Sequence, residues 1–337
     1  MNNVLFSSMT RIADLQQQPL RWDPLAREQW AAGDYVVGRV LPRNYSAVPL
    51  ELADGRRCAP MAGDLVVGAF GRRAATLEAT GTFEEIGADR RMVCLTGGGT
   101  MGALTSQAPF TPSLLPLEYL GHVRRDDGWA RMRDYVPEPP ASTLEIPVVL
   151  LVGTSMSAGK TYSGRVAVRQ LGALGHTVVA AKLTGAGRWR DTLSFHDAGA
   201  DATFDFVDAG MPTTVVPAEE YRPAMKGLLA RMGATDATVA VVEAGASPLE
   251  PYNGGTLVEM LGDRVVYTIL AASDPYAVVG ILHAWGKTVD LVTGPSANTE
   301  AAVALVRELS GLPALDLLDV GAHGELRERL EAAAGRP

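Results

Sequence analysis

Residues 148–161 read VVLLVGTSMSAGKT, and this stretch decides the fold of the second half of the chain. An aliphatic run over 146–152 predicts a buried strand, which stops abruptly at Gly153. From Lys160 onward the sequence reads as a helix. A strand, a glycine-bounded loop and a helix in this order are typical of a phosphate-binding loop.

The residue types in this loop suit phosphate oxygens. Backbone N–H groups in such a loop form an anion nest, and the helix that follows points its positive dipole end at the same anion. Lys160 would reach the outer phosphates, and the Thr161 hydroxyl would bind Mg²⁺. An ordinary strand-to-helix turn is the alternative, but it gives no reason for a lysine at a buried helix start. The predicted nucleotide-binding residues here are Gly153, Thr154, Ser155, Ser157, Ala158, Gly159, Lys160, Thr161 and Tyr162.

Composition limits the classes of function. A length of 337 residues favours two domains, and a formal charge of −8 argues against a nucleic-acid partner. The two cysteines, Cys58 and Cys94, lack metal-ligand spacing and are expected to be reduced. The N-terminal residues have no signal-peptide pattern, and the longest apolar run is far too short for a membrane span. We therefore expect a cytoplasmic protein without membrane partners.

The first half of the chain has a β-rich texture. Short apolar runs at 35–41, 64–70, 75–80 and 91–95, separated by glycine and Asp-Gly turns, predict a small β barrel or sandwich over 34–125. Residues 1–33 are expected to form an arm, and the proline-rich stretch 126–145 a stiff linker.

Residues 146–320 alternate between strands and helices, which predicts a mainly parallel, doubly wound α/β domain. Ligands bind such sheets at the carboxyl ends of the strands. Residues 321–337 are expected to form a terminal helix that frays. The predicted strands are 146–152, 177–183, 213–216, 238–243, 264–270, 288–293 and 314–318, and the predicted helices are 160–174, 218–231, 257–261, 277–285 and 298–309.

Three charged residues lie where predicted strands end. Lys182 closes the second strand and would stabilise charge on a transferring phosphoryl group, although a lysine snorkelling off a strand end is the alternative. Glu243 closes a strand of small and aliphatic residues and would anchor Mg²⁺, the alternative being an exposed carboxylate. Asp191 would also bind the metal, or would cap a helix starting at Thr192.

Further residues near these strand ends are candidate substrate contacts. They suit an anionic or polar small molecule, and they lie in loops where such contacts concentrate. His196 would be a general base, although an isolated histidine on a helix is more often a packed or surface residue. The predicted substrate-binding residues are Lys182, Thr184, Arg188, Arg190, His196 and Tyr252.

Several motifs resemble known P-loop families of the SIMIBI class. The spacing Gly-Thr-x₄-Gly-Lys-Thr at 153–161 and Val-Glu-Ala-Gly at 242–245 resemble dethiobiotin synthetase. Asp-Thr followed by Ala-Gly-Ala over 191–200 resembles MobB, a GTP-binding accessory protein. Residues 241–257 resemble an uncharacterised P-loop family that includes a D-glutamate N-acetyltransferase. These likenesses cover about 147–320. They imply that Asn298 reads the nucleotide base, whereas a helix cap at Asn298 or Ser296 is the alternative.

Together the motifs favour phosphoryl transfer from Mg²⁺-bound ATP, with GTP as the alternative nucleotide, to a small molecule. The enzyme would be a kinase, or a ligase that forms an acyl phosphate, with Lys160, Lys182 and Asp191 as catalytic residues. One alternative is an N-acyltransferase that holds coenzyme A phosphates in the loop. Another is a nucleotide-binding accessory protein of the MobB type. The resemblance also implies a homodimer.

Overall fold

The computed structural model describes residues 3–126 and 128–335 and divides the chain into two compact units. The N-terminal unit runs to Glu138 and includes two segments from later in the chain, Ala186–Arg190 and Phe206–Val215. The C-terminal unit consists of Pro139–Gly185, Asp191–Asp205 and the residues from Val216 onward. The boundary at Glu138 lies inside the proline-rich stretch that we expected to be a linker.

Five strands of the N-terminal unit form a closed barrel. Strand β6 pairs with β3 on one side and with β10 on the other, so the order β6-β3-β11-β9-β10 returns to β6. The strands of this unit are β1 (Val4–Phe6), β2 (Trp22–Asp23), β3 (Tyr35–Val40), β4 (Leu50–Glu51), β5 (Arg57–Cys58), β6 (Leu65–Phe70), β7 (Arg72–Ala74), β8 (Ala79–Thr82), β9 (Arg91–Cys94), β10 (Thr100–Gln107), β11 (Leu115–Arg125) and β12 (Gly128–Trp129).

Alternating residues of the barrel strands fill its core. Val36, Val66, Phe70, Met101 and Leu117 are among the buried residues of this cluster. The structure resolves the choice between a barrel and a sandwich because the β6–β10 pairing leaves this five-strand circuit without an open edge. Residues that we assigned to an N-terminal arm belong to this unit, since β1 pairs in parallel with β6.

The C-terminal unit alternates strands with helices. No helix within the described ranges combines the length and hydropathy needed to cross a bilayer. Its elements are β13 (Val148–Gly153), α1 (Lys160–Ala173), β14 (Val178–Thr184), α2 (Trp189–Asp197), β15 (Ala202–Asp205), α3 (Ala218–Gly233), β16 (Val239–Ala244), α4 (Gly254–Leu261), β17 (Val265–Ala271), α5 (Pro275–Trp285), β18 (Leu291–Thr293), α6 (Glu300–Ser310) and α7 (His323–Ala334), with the first two residues of α2 assigned to the N-terminal unit.

All six strands of this unit are parallel, in the order β15-β14-β16-β13-β17-β18. Strand β13, which leads into the loop, lies between β16 and β17, so its carboxyl end is flanked by theirs. All residues of β13, β14 and β16 are buried, which matches their near-continuous apolar runs. The predicted α/β class with a β-rich unit before it is confirmed.

Two predicted strands within 146–320 are wrong, and the predicted run 75–80 is mostly the turn between β7 and β8. Residues 213–216 form no strand, because Thr213 makes only an isolated bridge to Ala186 and Pro212 and Pro217 flank the segment. The edge strand β15, whose sequence lacks an aliphatic run, takes that place in the sheet. The predicted strand 314–318 is likewise reduced to a single bridge at Ala314.

The C-terminal helix α7 belongs to the core rather than to a fraying tail. Leu326 and Leu330, one turn apart, are fully buried in the cluster that also holds Val149 and Leu171. Arg327 Nε donates a hydrogen bond to Gln170 Oε1 at 2.9 Å, which ties α7 to α1. Since α1 begins at the loop that follows β13, α7 supports the element that positions this loop.

The position of α7 predicts a specific loss of stability. Leu330→Ala should lower the free energy of unfolding by about 2–5 kcal/mol, because it leaves a cavity in a packed core. Urea unfolding followed by circular dichroism measures this change. Glu328→Ala, at an exposed position of the same helix, is the matched control and should change the free energy by less than about 0.5 kcal/mol. Equal effects of the two substitutions would mean that α7 does not pack on the core.

Candidate functional site

The loop between β13 and α1 has a backbone that only certain residues can adopt. Gly159 caps α1 with φ of 102°, and Ser157 also lies in the left-handed region with φ of 63°. A Cβ on Gly153 would lie 2.8 Å from Lys160 Nζ and 2.9 Å from Lys160 Cγ. A side chain at 153 would therefore displace Lys160, whose side chain lies directly across this glycine.

The side chain of Lys160 is held back against its own loop. Its Nζ donates a hydrogen bond to Ser155 O at 2.6 Å, and the residue is only 6% exposed. Burial lowers the pKa of Lys160 to about 8, with nearby Lys182 acting in the same direction and Glu243 opposing it. At neutral pH the group is still mainly an ammonium, so the loop holds a partly desolvated positive charge.

The remaining loop residues shape the backbone around this lysine. Thr154 Oγ1 accepts a hydrogen bond from Ser273 N at 3.1 Å, and the Ser155 side chain donates to Met156 O. Ala158 is buried, and a Cβ on Gly294 would lie 2.3 Å from its carbonyl oxygen. The loop is thus fixed on the side of β17 and on the side of the segment after β18.

Strand register brings Lys182 and Glu243 together, and Asp191 on α2 reaches the same place. Lys182 on β14 is paired with Glu243 on β16, and Glu243 is in register with Leu151 of β13. Lys182 Nζ forms an ion pair with Asp191 Oδ2 and lies 4.0 Å from Glu243 Oε1. Both Lys182 and Glu243 are more than 90% buried, so they are neither a snorkelling lysine nor an exposed carboxylate.

Glu243 also contacts the first turn of α1. Thr161 Oγ1 donates a hydrogen bond to Glu243 Oε2 at 2.8 Å. Burial raises the pKa of Glu243, and the neighbouring Lys182 opposes that shift. The carboxylate is therefore held by one hydroxyl and one ammonium in a site largely closed to water.

The hydroxyl oxygen of Thr161 and the carboxylate oxygens of Glu243 suit a magnesium ion. Mg²⁺ takes oxygen ligands and is commonly held by one or two carboxylates, with waters and phosphates completing its shell. The described residues contain no group of three His, Cys, Asp or Glu side chains suited to a metal. Thr161 and Glu243, whose side-chain oxygens lie 2.8 Å apart, would supply protein ligands, and further oxygens would come from water or from a bound phosphate. Asp191 is engaged by Lys182.

Asp191 is not a helix cap. Helix α2 begins at Trp189, so Asp191 lies inside its first turn rather than before it. In that position its carboxylate faces Lys182. His196 is exposed in the last turn of the same helix. Its proposed role as a base stays a prediction.

Four other predicted substrate-binding residues are divided between the two compact units. Thr184 is fully buried and its hydroxyl donates to Gly245 O, and Tyr252 is fully buried as well. Arg188 and Arg190 belong to the N-terminal unit, where Arg188 Nη2 lies 3.9 Å from Glu78 Oε2 and Arg190 N donates to Glu51. The substrate role of these four residues stays a prediction.

A pocket of about 180 Å³ adjoins the loop on the side of β18. Ser157 and Gly159 belong both to the loop and to the lining of this pocket. Asn298 lines it too and does not cap α6, because the cap is Thr299, whose Oγ1 accepts from Ala302 N. Ser296 is not the cap either. Asp316, which sequence reasoning missed, is the carboxylate in the lining.

A scan of family models and a search of curated proteins find no match to this chain. Among solved structures it is similar to a DUF1611 family protein from Anabaena variabilis, with 18% identity and a TM-score of 0.38 over 58% of this chain and 63% of that one. It is similar to FtsY from Mycoplasma mycoides, with 13% identity and a TM-score of 0.36 over 52% and 61%. It is also similar to the signal recognition particle 54 kDa protein from Aeropyrum pernix in complex with GDP, with 18% identity and a TM-score of 0.35 over 58% and 47%.

The chain spans less than two thirds of each of these three proteins. The parallel strand order, together with the strand, loop and helix over 148–173, defines the fold of the C-terminal unit.

Burial of Lys160 predicts a pH dependence of folding. The pKa is about 8 in the folded chain and 10.5 for the ordinary group, so between these values the unfolded chain binds more protons. The free energy of unfolding should therefore rise as the pH increases from about 8 to 10.5. Lys160 should contribute on the order of 3 kcal/mol to this rise. Urea unfolding at pH 7.5 and pH 10 should show this increment in wild type and lose it in Lys160→Met. An identical pH dependence in the two proteins would contradict the burial of a charged Lys160.

Proposed function

We propose that this chain binds a magnesium–nucleoside triphosphate and transfers its terminal phosphoryl group to a small molecule. The observation that carries the proposal is the convergence of Lys160, Thr161, Lys182, Asp191 and Glu243 at the carboxyl ends of three neighbouring strands. Ligands of open α/β sheets bind at such ends. Two buried ammonium groups suit the negative charge of a transferred phosphoryl group, and the oxygens of a carboxylate and a hydroxyl suit Mg²⁺.

The phosphates would lie along the loop. Lys160 would exchange its hydrogen bond to Ser155 O for phosphate oxygens, which offer a full negative charge where the carbonyl offers only a dipole. Mg²⁺, held by Thr161 and Glu243, would neutralise charge on the phosphates. The protein itself would contribute positioning and charge, in a site that excludes water.

Lys182 would act on the transferred group. Its ammonium is held by Asp191 and lies beside Glu243, so its position is fixed before any ligand binds. In the reaction the bond between the terminal phosphorus and the bridging oxygen breaks, and an acceptor oxygen or nitrogen forms the new bond. Nucleoside diphosphate is the leaving group. A carboxylate acceptor gives an acyl phosphate and releases no proton, whereas a hydroxyl or amine acceptor releases one proton to solvent. In the transition state the charge is spread over the equatorial oxygens of the transferred group, and a preorganised ammonium stabilises it.

The substitution Lys182→Ala separates transfer from binding. If Lys182 acts mainly on the transition state, turnover should fall about a hundredfold or more while nucleotide affinity changes little. Calorimetric titration of nucleotide measures affinity, and release of nucleoside diphosphate in the presence of a pool of small metabolites measures turnover. Lys226→Ala, at an exposed position of α3, is the control.

Loss of Lys182 leaves two carboxylates without their buried partner, which can destabilise the fold. The double variant Lys182→Met with Asp191→Asn removes both charges of the ion pair and keeps side-chain volume. It should fold, bind nucleotide and still lack turnover. A variant that loses affinity and turnover in the same proportion would contradict a transfer role for Lys182. A nucleotide-binding accessory protein would behave in that way.

A further inference from the structure

The pocket beside the loop is placed to receive the base of a bound nucleotide. Ser157 and Gly159 line it on one side and are themselves part of the loop. A nucleotide whose phosphates lie along the loop would therefore have its nucleoside directed into this pocket. This inference rests on the proposed binding of nucleotide, and it concerns which base the pocket accepts.

The walls of the pocket are largely apolar. Tyr162, Pro295, Leu317 and Leu318 contribute to the lining. Tyr162 is 39% exposed and Leu318 is 58% exposed, so two large apolar side chains at this pocket face solvent. A flat heterocycle would cover such surfaces, since every base presents an apolar π-face.

The polar groups of the pocket point to one kind of base. Asp316 Oδ1 accepts a hydrogen bond from Leu318 N at 3.0 Å. With the Asn298 amide oriented to suit its neighbours, Nδ2 donates to the same Oδ1 at 3.2 Å and to Gly294 O at 2.8 Å. The carboxylate is thus fixed through one oxygen, while Oδ2 has no hydrogen-bond partner among the described residues.

We propose that Asp316 selects guanine and rejects adenine in this pocket. A carboxylate only accepts hydrogen bonds. Guanine presents two adjacent donors on its Watson–Crick edge, N1–H and the C2 amino group, and both can donate to Oδ2, the oxygen that accepts no hydrogen bond within the described residues. Adenine presents an acceptor at N1, which a carboxylate repels. The sequence favoured ATP, but the pocket chemistry favours a guanine nucleotide, and it disfavours the adenosine of coenzyme A for the same reason.

Asn298 has a positioning role in this proposal. Its amide holds Asp316 Oδ1 and the Gly294 carbonyl together, which fixes the carboxylate relative to the segment after β18. The sequence-based assignment of Asn298 to the nucleotide site is retained, but the residue that reads the base is Asp316.

The test is a comparison of binding constants for N-methylanthraniloyl GDP, ADP and XDP with Mg²⁺. Wild type should bind the guanine nucleotide at least about tenfold more tightly than the adenine nucleotide. Xanthine carries a carbonyl where guanine carries its amino group. Asp316→Asn replaces one acceptor by a donor, so it should weaken GDP binding and strengthen XDP binding by at least about tenfold each. The matched control is Asp319→Asn, which changes an exposed carboxylate three residues away and should leave all three constants unchanged.

The outcomes separate this inference from the proposed function. Equal affinity of wild type for GDP and ADP would overturn the role of Asp316 and leave nucleotide binding intact. A GDP preference that Asp316→Asn does not alter would overturn it as well. Failure of all three nucleotides to bind would overturn both proposals. Guanine preference with the switch to XDP, but without phosphoryl transfer, would support the inference and reject the transfer reaction.

Discussion

The candidate site depends on one buried charge, the ammonium of Lys160 lying across Gly153. Its Nζ is held by Ser155 O within the same loop, and no side chain can be added at 153 without displacing it. Removing a charge from water costs free energy, and a depressed pKa records that cost. An anion bound in the loop would stabilise the ammonium and so offset the cost of its burial. This is the physical reason to expect that the loop binds phosphate.

The neighbouring charges follow from the order of the sheet. Because β13 lies next to β16, and β16 next to β14, the residues that close these strands meet at one edge. Glu243 is therefore close to both Thr161 and Lys182, and Asp191 on α2 pairs with Lys182. The buried cations and carboxylates balance one another, so the site can exist in a folded protein before any ligand arrives.

Sequence reasoning was strongest where hydrophobic periodicity and loop chemistry agree. The aliphatic run before Gly153 and the lysine after Gly159 were sufficient to predict β13, the loop and α1. It failed where pairing rather than composition decides the structure. Residues 213–216 are rich in threonine and valine but form only a bridge, while β15 has no aliphatic run and is a strand because β14 offers an edge.

The pocket residues illustrate the same limit. The pattern places Asp316 inside a predicted strand over 314–318, but its position depends on a turn that the pattern does not reveal. Arg188 and Arg190 follow a strand end in sequence but belong to the other compact unit. A charged residue directly after a predicted strand is a useful signal only if the chain stays with that sheet.

The most direct test of the central claim is calorimetric titration of Mg²⁺–GTP into wild type and Lys160→Met. Lys160→Met keeps the length of the side chain and removes its charge. The account predicts that the variant folds at least as stably as wild type at pH 7.5 and binds the nucleotide at least about a hundredfold more weakly. Equal affinity of the two proteins would contradict the claim that the loop around Lys160 is a phosphate site.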